Sequence, residues 1–281
     1  MELRGISLGI SPCPNDTFIF YHLLNRQEFP FRIKVVIADV EELNRLVLGG
    51  MLDVSKVSYA LAARVMERYM ILDSGSALGR GCGPLILGKR ILSRQELRGA
   101  VIAVPGEYTT ASLLLRLYLS SGPGEIRPML FSRIPGAILS GEVDAGCVIH
   151  ETRFTYKEMG LSCIQDLGAW WEIQTGLPLP LGGIIARRSL PKETAACITE
   201  GIRQSIDFAR ANPGETAEFV KRHAQELSSG IQKKHIDLYV NEFSRSLGTE
   251  GRKAIARLFD LAGVNGICAV PGDENFMFFD A

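Results

Sequence analysis

The residue best suited to acid–base chemistry in this sequence is His150. It follows the apolar run 143–149, which reads as a strand, and a polar run from Glu151 to Arg153 comes next. An imidazole at the end of a buried strand can face a cleft and exchange a proton near neutral pH, as a general base must. The alternative is a histidine in a solvent-exposed loop. The other three histidines fall on predicted helices, where we expect structural or surface roles: His22, His223 and His235.

Polar side chains that could hold a ligand stand where predicted strands give way to helices. Lys56 and Ser58 close one strand and could hold a carboxylate, although without the repeat described below the ordinary roles of a strand-edge lysine and a helix-capping serine are the better explanation. Thr109 and Thr110 open a helix just after a Pro-Gly pair. Hydroxyls and backbone amides at a helix start form a natural anion site, but threonine is also an ordinary N-cap.

The first loop of the chain, residues 11–16, supplies two further polar candidates. Asn15 and Asp16 lie in this loop, and either could cap the helix that we predict to begin near Thr17. Cys13 stands between two prolines, but we do not expect a nucleophile there because no histidine or asparagine motif accompanies it. Cysteines and histidines are scattered along the chain, so we predict no metal site.

Two similar runs of elements must position these residues. The first ends near Ser58 and the second extends from about Ala100 to His150, and each reads as strand, polar loop, helix, strand, helix, strand. The segments LGGMLDVSKVSY and LSGEVDAGCVIH align without a gap. Such a run packs as a parallel sheet with both faces covered, and ligands bind at the carboxyl ends of its strands. We therefore predict an α/β protein with two lobes, each with a mainly parallel sheet, and a ligand cleft between the lobes.

Two apolar segments could carry the chain between the lobes. Residues 84–88 could lead out of the first lobe, and residues 181–186 could lead back. This arrangement predicts a discontinuous first lobe of residues 1–88 and 186–281, and a second lobe of residues 89–185. The C-terminal part has apolar stripes at helical spacing and reads as packing helices over residues 192–211, 215–226, 233–246 and 249–262.

The composition excludes several kinds of partner. The 281 residues carry 31 Lys and Arg against 31 Asp and Glu, and this balance argues against binding to nucleic acid or to a membrane surface. The N-terminus lacks the basic head and long apolar run of a secretory signal, and no stretch approaches the ~18 apolar residues of a membrane span. We expect a cytoplasmic protein with reduced thiols. Nothing in the sequence predicts its oligomeric state.

Several segments of the chain resemble the 1,4-dihydroxy-6-naphthoate synthases of the futalosine route to menaquinone. They are SPCPNDTFIFYHLL, VSKVSYAL, ALGRGCGPLIL, PGEYTTASLLL and DAGCVIHETRFTY. The resemblance implies a fold like that of type II periplasmic binding proteins, used by a cytoplasmic enzyme. It also implies a carbon–carbon lyase reaction in which cyclic dehypoxanthinyl futalosine loses its sugar-derived part and leaves an aromatic naphthoate, with no metal or redox cofactor. The expected partner is therefore a small-molecule carboxylate substrate.

The resemblance also implies roles for individual residues. The catalytic histidine of the family falls on His150, and its substrate-binding stretches fall on Lys56-Val57-Ser58 and on Thr109-Thr110. To these we add three residues of the neighbouring loops as binding candidates: Asn15, Asp16 and Arg153.

Two other functions remain open at this point. One is the chorismate dehydratase of the same pathway, which has a similar fold, although the histidine in IHETRFTY favours the synthase. The other is a non-catalytic small-anion-binding protein that serves a transporter. Such a protein would carry an export signal or a lipid anchor and would release its ligand unchanged.

Overall fold

The computed structural model describes residues 5–120, 124–150, 152–224, 228–267 and 274–280. Its strands are β1 (Gly5–Ile10), β2 (Arg32–Ile37), β3 (Val54–Ser58), β4 (Tyr69–Ile71), β5 (Ala77–Gly79), β6 (Leu85–Gly88), β7 (Val101–Val104), β8 (Glu125–Pro128), β9 (Ala145–Val148), β10 (Ser162–Asp166) and β11 (Leu179–Arg187). Its longer helices, of nine residues or more, are α1 (Pro14–Asn25), α2 (Val40–Leu48), α5 (Thr110–Leu119), α8 (Leu167–Thr175), α9 (Lys192–Ala211), α10 (Pro213–His223), α11 (Ser229–Tyr239) and α13 (Gly248–Val264). Its shorter helices are α3 (Tyr59–Val65), α4 (Arg94–Gly99), α6 (Ile134–Ser140), α7 (Thr152–Thr155), α12 (Glu242–Arg245) and α14 (Glu274–Met277).

The strands form two separate sheets. The order in the first sheet is β2-β1-β3-β11-β4, with β5 also paired to β11. The order in the second sheet is β10-β6-β9-β7-β8. The architecture is therefore α/β with two sheets, as the order of elements predicts.

The internal repeat is confirmed as a structural one. In the run β1-α1-β2-α2-β3, the first strand lies in the middle and pairs in parallel with the other two. The run β7-α5-β8-α6-β9 is built in the same way. Both runs use an aspartate three residues after a left-handed glycine: Asp53 accepts the Ser7 N–H, and Asp144 accepts the Val101 N–H. The carboxyl ends of the three parallel strands thus meet at one edge of each sheet.

The prediction of mainly parallel sheets is wrong in detail, because both sheets are mixed. In the first sheet β11 runs antiparallel to β3, β4 and β5. In the second sheet β6 runs antiparallel to both β9 and β10. The reason is that β6 and β11 are each the first strand that the chain forms after it passes from one sheet to the other. Each enters its sheet from the end opposite to that of the parallel strands. Sheet membership also differs from the predicted division, since β6 belongs to the second sheet and the whole of β11 belongs to the first.

Two helices differ from their predicted bounds in ways that affect the site. Helix α1 begins at Pro14 rather than near Thr17, because proline fits the first helical position, where no backbone N–H is needed. Asn15 and Asp16 therefore lie in the first turn, and Cys13 occupies the N-cap position. The helix predicted over 233–246 is two helices, and the side chain of Asn241 caps the second one.

The apolar core joins the two sheets. Its largest cluster contains Val57 and Ile185 of the first sheet together with Ile86 and Ile102 of the second. Two further clusters are each confined to one sheet and the helices on it. Among the described residues, no helix has both the length and the apolar character that crossing a membrane requires.

Candidate functional site

A cleft of about 680 Å³ lies between the two sheets and is lined by residues from both. Its walls come from the start of α1, the end of β3, the start of α5, the segment after β9 and one face of α11. These are mainly the places where parallel strands end and helices begin, so the fold places the predicted loops around one space.

All of the predicted site residues but one line this cleft. They are Asn15, Asp16, Lys56, Val57, Ser58, Thr109, Thr110 and His150. The exception is Arg153, which is not among the lining residues. Its guanidinium donates to the carbonyl oxygen of Gly83 and forms an ion pair with Asp166 at 2.8 Å. Arg153 is thus held against the second sheet by a carboxylate of its own lobe, and the expectation that it binds the ligand is not supported.

His150 adopts a backbone conformation that is unusual for a residue with a side chain. Its φ angle is +58°, in the left-handed region, which costs a non-glycine residue about 1–2 kcal/mol. Such conformations persist where the surrounding structure determines them, and they cluster at active sites. At this position the strand β9 has just ended, and the turn directs the imidazole into the cleft.

Three side chains surround the His150 ring. The Sγ atom of Cys13 lies 3.5 Å from Nδ1 and 3.7 Å from Nε2. The ring of Phe131 meets the imidazole edge-on, with 4.7 Å between centroids. The ring of His235 stacks nearly parallel to it at 5.9 Å. Cys13 and His235 both come from the first lobe, so His150 of the second lobe reaches across the cleft.

A buried polar chain runs beneath His235. The Lys56 ammonium forms an ion pair of 2.8 Å with Asp16, and both side chains are almost inaccessible to solvent. Asp16 also accepts hydrogen bonds from the Ser11 hydroxyl at 2.6 Å and from the Asn15 amide at 2.8 Å. The side-chain oxygen Oδ1 of Asn15 in turn lies 2.9 Å from Nε2 of His235. Because Lys56 is paired with Asp16, this chain offers hydrogen-bonding groups rather than a net positive charge.

Sequence reasoning missed His235, for which we expected a structural or surface role. The residue is 1% exposed, lines the cleft and joins the polar chain. Tyr239 lies four residues further along α11, lines the same cleft and has its ring 4.6 Å from that of His235. The spacing of four places both on one face of a helix, and this is the only local signal that could have revealed them.

Ser58 is held at the floor of the cleft by Asn44. Its backbone N–H donates to the side-chain oxygen Oδ1 of Asn44 at 3.0 Å, and its hydroxyl accepts from the side-chain NH₂ group of Asn44 at 3.2 Å. A serine hydroxyl that accepts one hydrogen bond can still donate its own proton to a ligand. Ser58 is therefore well placed to bind a substrate oxygen.

Thr109 and Thr110 are largely committed to the protein. The Thr109 hydroxyl caps α5, since it accepts from the Ser112 N–H, and it donates to the Gly106 carbonyl. The Thr110 hydroxyl donates to the Leu181 carbonyl at 2.6 Å and accepts from the Ala60 N–H at 3.3 Å. Thr110 thus ties the start of α5 to the first sheet and closes one side of the cleft.

Glu41 provides a second connection between the lobes. Its carboxylate, which projects from α2, accepts N–H groups of Glu107 and Tyr108 at 2.9 and 3.2 Å. The Asn44 amide donates to the same carboxylate, so Glu41 also touches the group that holds Ser58. Burial raises the pKa of Glu41 above its ordinary value, and these hydrogen bonds oppose that rise.

Known proteins resemble the chain over nearly its full length. The family model for menaquinone biosynthesis matches residues 6–263. A protein of Thermus thermophilus named 1,4-dihydroxy-6-naphthoate synthase is 48% identical over 95% of this chain and 97% of its own. A protein of the same name from Streptomyces coelicolor is 42% identical over 99% of this chain and 100% of its own.

Solved structures agree with the fold. A crystal structure of a protein from Archaeoglobus fulgidus superimposes with a TM-score of 0.87 and 36% identity, over 94% of this chain and 98% of that one. An alkanesulfonate-binding protein from Xanthomonas axonopodis gives a TM-score of 0.72 at 15% identity, over 96% of each chain. The latter likeness shows the periplasmic-binding-protein fold, and the matches of sequence show more: the chain belongs to the menaquinone biosynthesis family.

Proposed function

We propose that this chain is a 1,4-dihydroxy-6-naphthoate synthase, a lyase that acts on cyclic dehypoxanthinyl futalosine. One observation carries the proposal. His150 projects into a cleft of about 680 Å³ whose opposite wall holds Ser58 and the Lys56–Asp16 pair, in a chain 48% identical to a protein of that name.

The proposed mechanism uses His150 as a general base. The neutral imidazole removes a proton from the cyclic carbon skeleton of the substrate. The electron pair of that C–H bond enters the ring as the bond to the sugar-derived part breaks, and the departing fragment takes up a proton. The reaction is favourable because the ring that remains becomes aromatic. General base catalysis of this kind contributes about 10²–10⁴-fold to the rate.

Other residues of the cleft hold the substrate in this mechanism. Ser58 donates its hydroxyl proton to a substrate oxygen, and Lys56, with Asp16, presents further polar groups. The start of α5 at Thr109 and Thr110 supports an acidic group of the substrate through the partial positive charge of a helix N-terminus. The reaction calls for no metal or redox cofactor, and we propose that the enzyme works in the cytoplasm.

Substitution of the base tests the proposal directly. We expect His150→Ala to lower turnover by about 10²-fold or more while the substrate still binds, because the variant lacks the proton acceptor but keeps the opposite wall. Turnover is measured by the appearance of the naphthoate, and binding by calorimetry. Near-normal turnover by the variant would remove His150 from the mechanism.

The same assay separates the alternative functions. The purified protein is incubated in parallel with cyclic dehypoxanthinyl futalosine and with chorismate, and the products are identified by mass spectrometry. We expect conversion of the first compound only. Conversion of chorismate would identify a dehydratase, and recovery of both compounds unchanged after tight binding would identify a binding protein.

A further inference from the structure

The proposed mechanism leaves His235 without a role, although it is the most deeply buried polar side chain against the proposed base. It projects from α11, a helix far from β9 in sequence, and its ring lies 5.9 Å from that of His150 at an interplanar angle of 17°. A histidine that is 1% exposed loses most of its contact with water, so its position there requires an explanation.

The polar chain beneath His235 determines which ring nitrogen carries the proton. Asp16, paired with Lys56, presents an acceptor oxygen to the Asn15 amide. The Asn15 side chain must therefore turn its NH₂ group to Asp16 and its carbonyl oxygen to His235. That oxygen can only accept, so Nε2 of His235 donates at 2.9 Å. The ring is thereby fixed in both tautomer and orientation.

The same surroundings keep His235 uncharged. Burial lowers the pKa of His235 well below its ordinary value of 6.5, and the neighbouring His150 and Lys56 lower it further. Asp16 is the carboxylate of this cluster, but it contacts Lys56 and Asn15 rather than the imidazole. Tyr239 adds an aromatic ring at 4.6 Å. A neutral ring does not oppose the positive charge that forms on His150 when the base accepts a proton.

The side chains around His150 indicate how the fixed neutral ring of His235 could hold it in place. His150 has an unfavourable backbone angle, with φ at +58°, and such a conformation persists only where the surrounding structure determines it. Phe131 meets the ring edge-on, the Cys13 thiol lies near both ring nitrogens, and the His235 ring lies nearly parallel with its centroid 5.9 Å away. Of these three, His235 is itself held in place by a hydrogen-bonded chain that reaches back to Lys56.

We propose that His235 is a positioning residue for His150: its ring, locked by Asn15, Asp16 and Lys56, is the flat surface that holds the proposed base in its reactive orientation. This inference rests on the proposed function, since it assigns His150 as the base. Displacement of a catalytic group by about 1 Å can cost 10²-fold in rate, so a residue that acts only by holding His150 can matter as much as a direct contact.

Two substitutions of His235 test the effect of its ring and the effect of its hydrogen bond separately. His235→Phe keeps a flat ring against His150 and lacks the hydrogen bond to Asn15, whereas His235→Gln keeps a donor for Asn15 and lacks the ring. We expect kcat to fall about 10–100-fold in His235→Gln and clearly less in His235→Phe, with KM within about threefold in both. The matched control is His223→Gln on α10, which is not among the residues that line the cleft; its imidazole contacts Phe219 of the same helix, and the substitution should leave both constants unchanged.

A double substitution tests whether His235 acts through His150. In single-turnover experiments, adding His235→Gln to His150→Ala should change the residual rate less than about twofold, because nothing remains to be positioned. A further tenfold loss, or a rise in KM that matches the fall in kcat, would mean that His235 contacts the substrate itself. A normal kcat in His235→Gln would also overturn the proposal.

Nuclear magnetic resonance of the imidazole nitrogens provides a readout that does not depend on turnover. The chain has four histidines, so each can be assigned by a single substitution. We expect His235 to remain neutral and protonated at Nε2 from about pH 6 to 8, where free imidazole titrates. A charged His235, or one protonated at Nδ1, would overturn the proposal even if His150→Ala proves that His150 is the base. If His150→Ala instead keeps near-normal turnover, the assignment of His150 as the base fails, whatever protonation state His235 shows.

Discussion

The imidazole of the proposed base lies beside a thiol, and the site therefore contains a cysteine–histidine pair. Cys13 lies at the N-cap of α1, and its Sγ atom is 3.5 Å from Nδ1 of His150. This geometry raises the question of covalent catalysis, which we did not expect because no histidine or asparagine motif accompanies Cys13 in the sequence. Since a proton abstraction needs no nucleophile, we interpret the thiol as a hydrogen-bonding neighbour of the imidazole.

Substitution of Cys13 distinguishes the two roles. We expect Cys13→Ser to retain kcat within about tenfold, because a hydroxyl can replace the thiol as a hydrogen-bonding neighbour but is a far weaker nucleophile. Steady-state kinetics measure the change. The control is Cys197→Ser on α9, outside the cleft. A loss of about 10⁴-fold or more in Cys13→Ser alone would indicate a covalent intermediate instead.

At the scale of elements, the two lobes meet where Glu41 of α2 touches the loop before α5. Gly106 lies in that loop, and a Cβ atom added to it would stand 2.4 Å from the Glu41 carboxyl group. Gly106→Ala must therefore push Glu41 away from the N–H groups of Glu107 and Tyr108. Because the lobes would then close less well around the ligand, we expect KM to rise about three- to tenfold with a smaller change in kcat.

A second glycine of the same lobe provides the control for Gly106→Ala. Gly136 lies within α6, and a Cβ atom there would meet no atom within 4 Å. Gly136→Ala should leave KM unchanged and stabilise the fold by about 0.5–1 kcal/mol, the usual gain for glycine to alanine in a helix. Equal KM values for the two variants would show that the Glu41 contact does not control closure.

The buried position of Glu41 also predicts a pH dependence of stability. Because its pKa is raised, the folded protein binds this proton more readily than the unfolded chain does, so the contribution of Glu41 becomes less favourable as pH rises through the raised value. Relative to Glu41→Gln, the wild type should gain stability as pH falls from about 7 towards the ordinary value of 4.5. Urea unfolding at several pH values measures this difference, and parallel pH curves for the two proteins would contradict it.

At the scale of the whole molecule, the two lobes should unfold together. The largest apolar cluster contains residues of both sheets, and the chain passes between the sheets twice, once between β5 and β6 and once between β10 and β11. We expect lobes that share one apolar core to unfold in one cooperative transition, as a small single domain does. Trp170 and Trp171 both lie on α8, so tryptophan fluorescence reports on the packing around that helix, whereas far-ultraviolet circular dichroism reports on all helices. We expect the two signals to give the same midpoint in a urea titration; two separate midpoints would mean that the lobes are independent units.

Much of the site could be predicted because its residues lie at the ends of local elements. His150, Ser58 and Thr110 each follow a strand or open a helix, and the period of the surrounding apolar residues marks those ends. The gapless alignment of the two repeats placed both strand ends at equivalent positions. The structure confirms that these residues line one cleft, because the carboxyl ends of parallel strands meet at the same edge of a sheet.

The sequence by itself therefore determined the α/β class, the repeated order of elements and most residues of the cleft, since all of these follow from patterns within one element or between neighbours. Only the tertiary structure decided that both sheets are mixed and that Arg153 pairs with Asp166 instead of lining the cleft. It also decided that His235 contacts Asn15, which is 220 residues away. The physical reason is that strand pairing and buried polar contacts depend on which distant surfaces pack together. The spacing of residues along a single helix or strand does not indicate which distant surfaces will pack together.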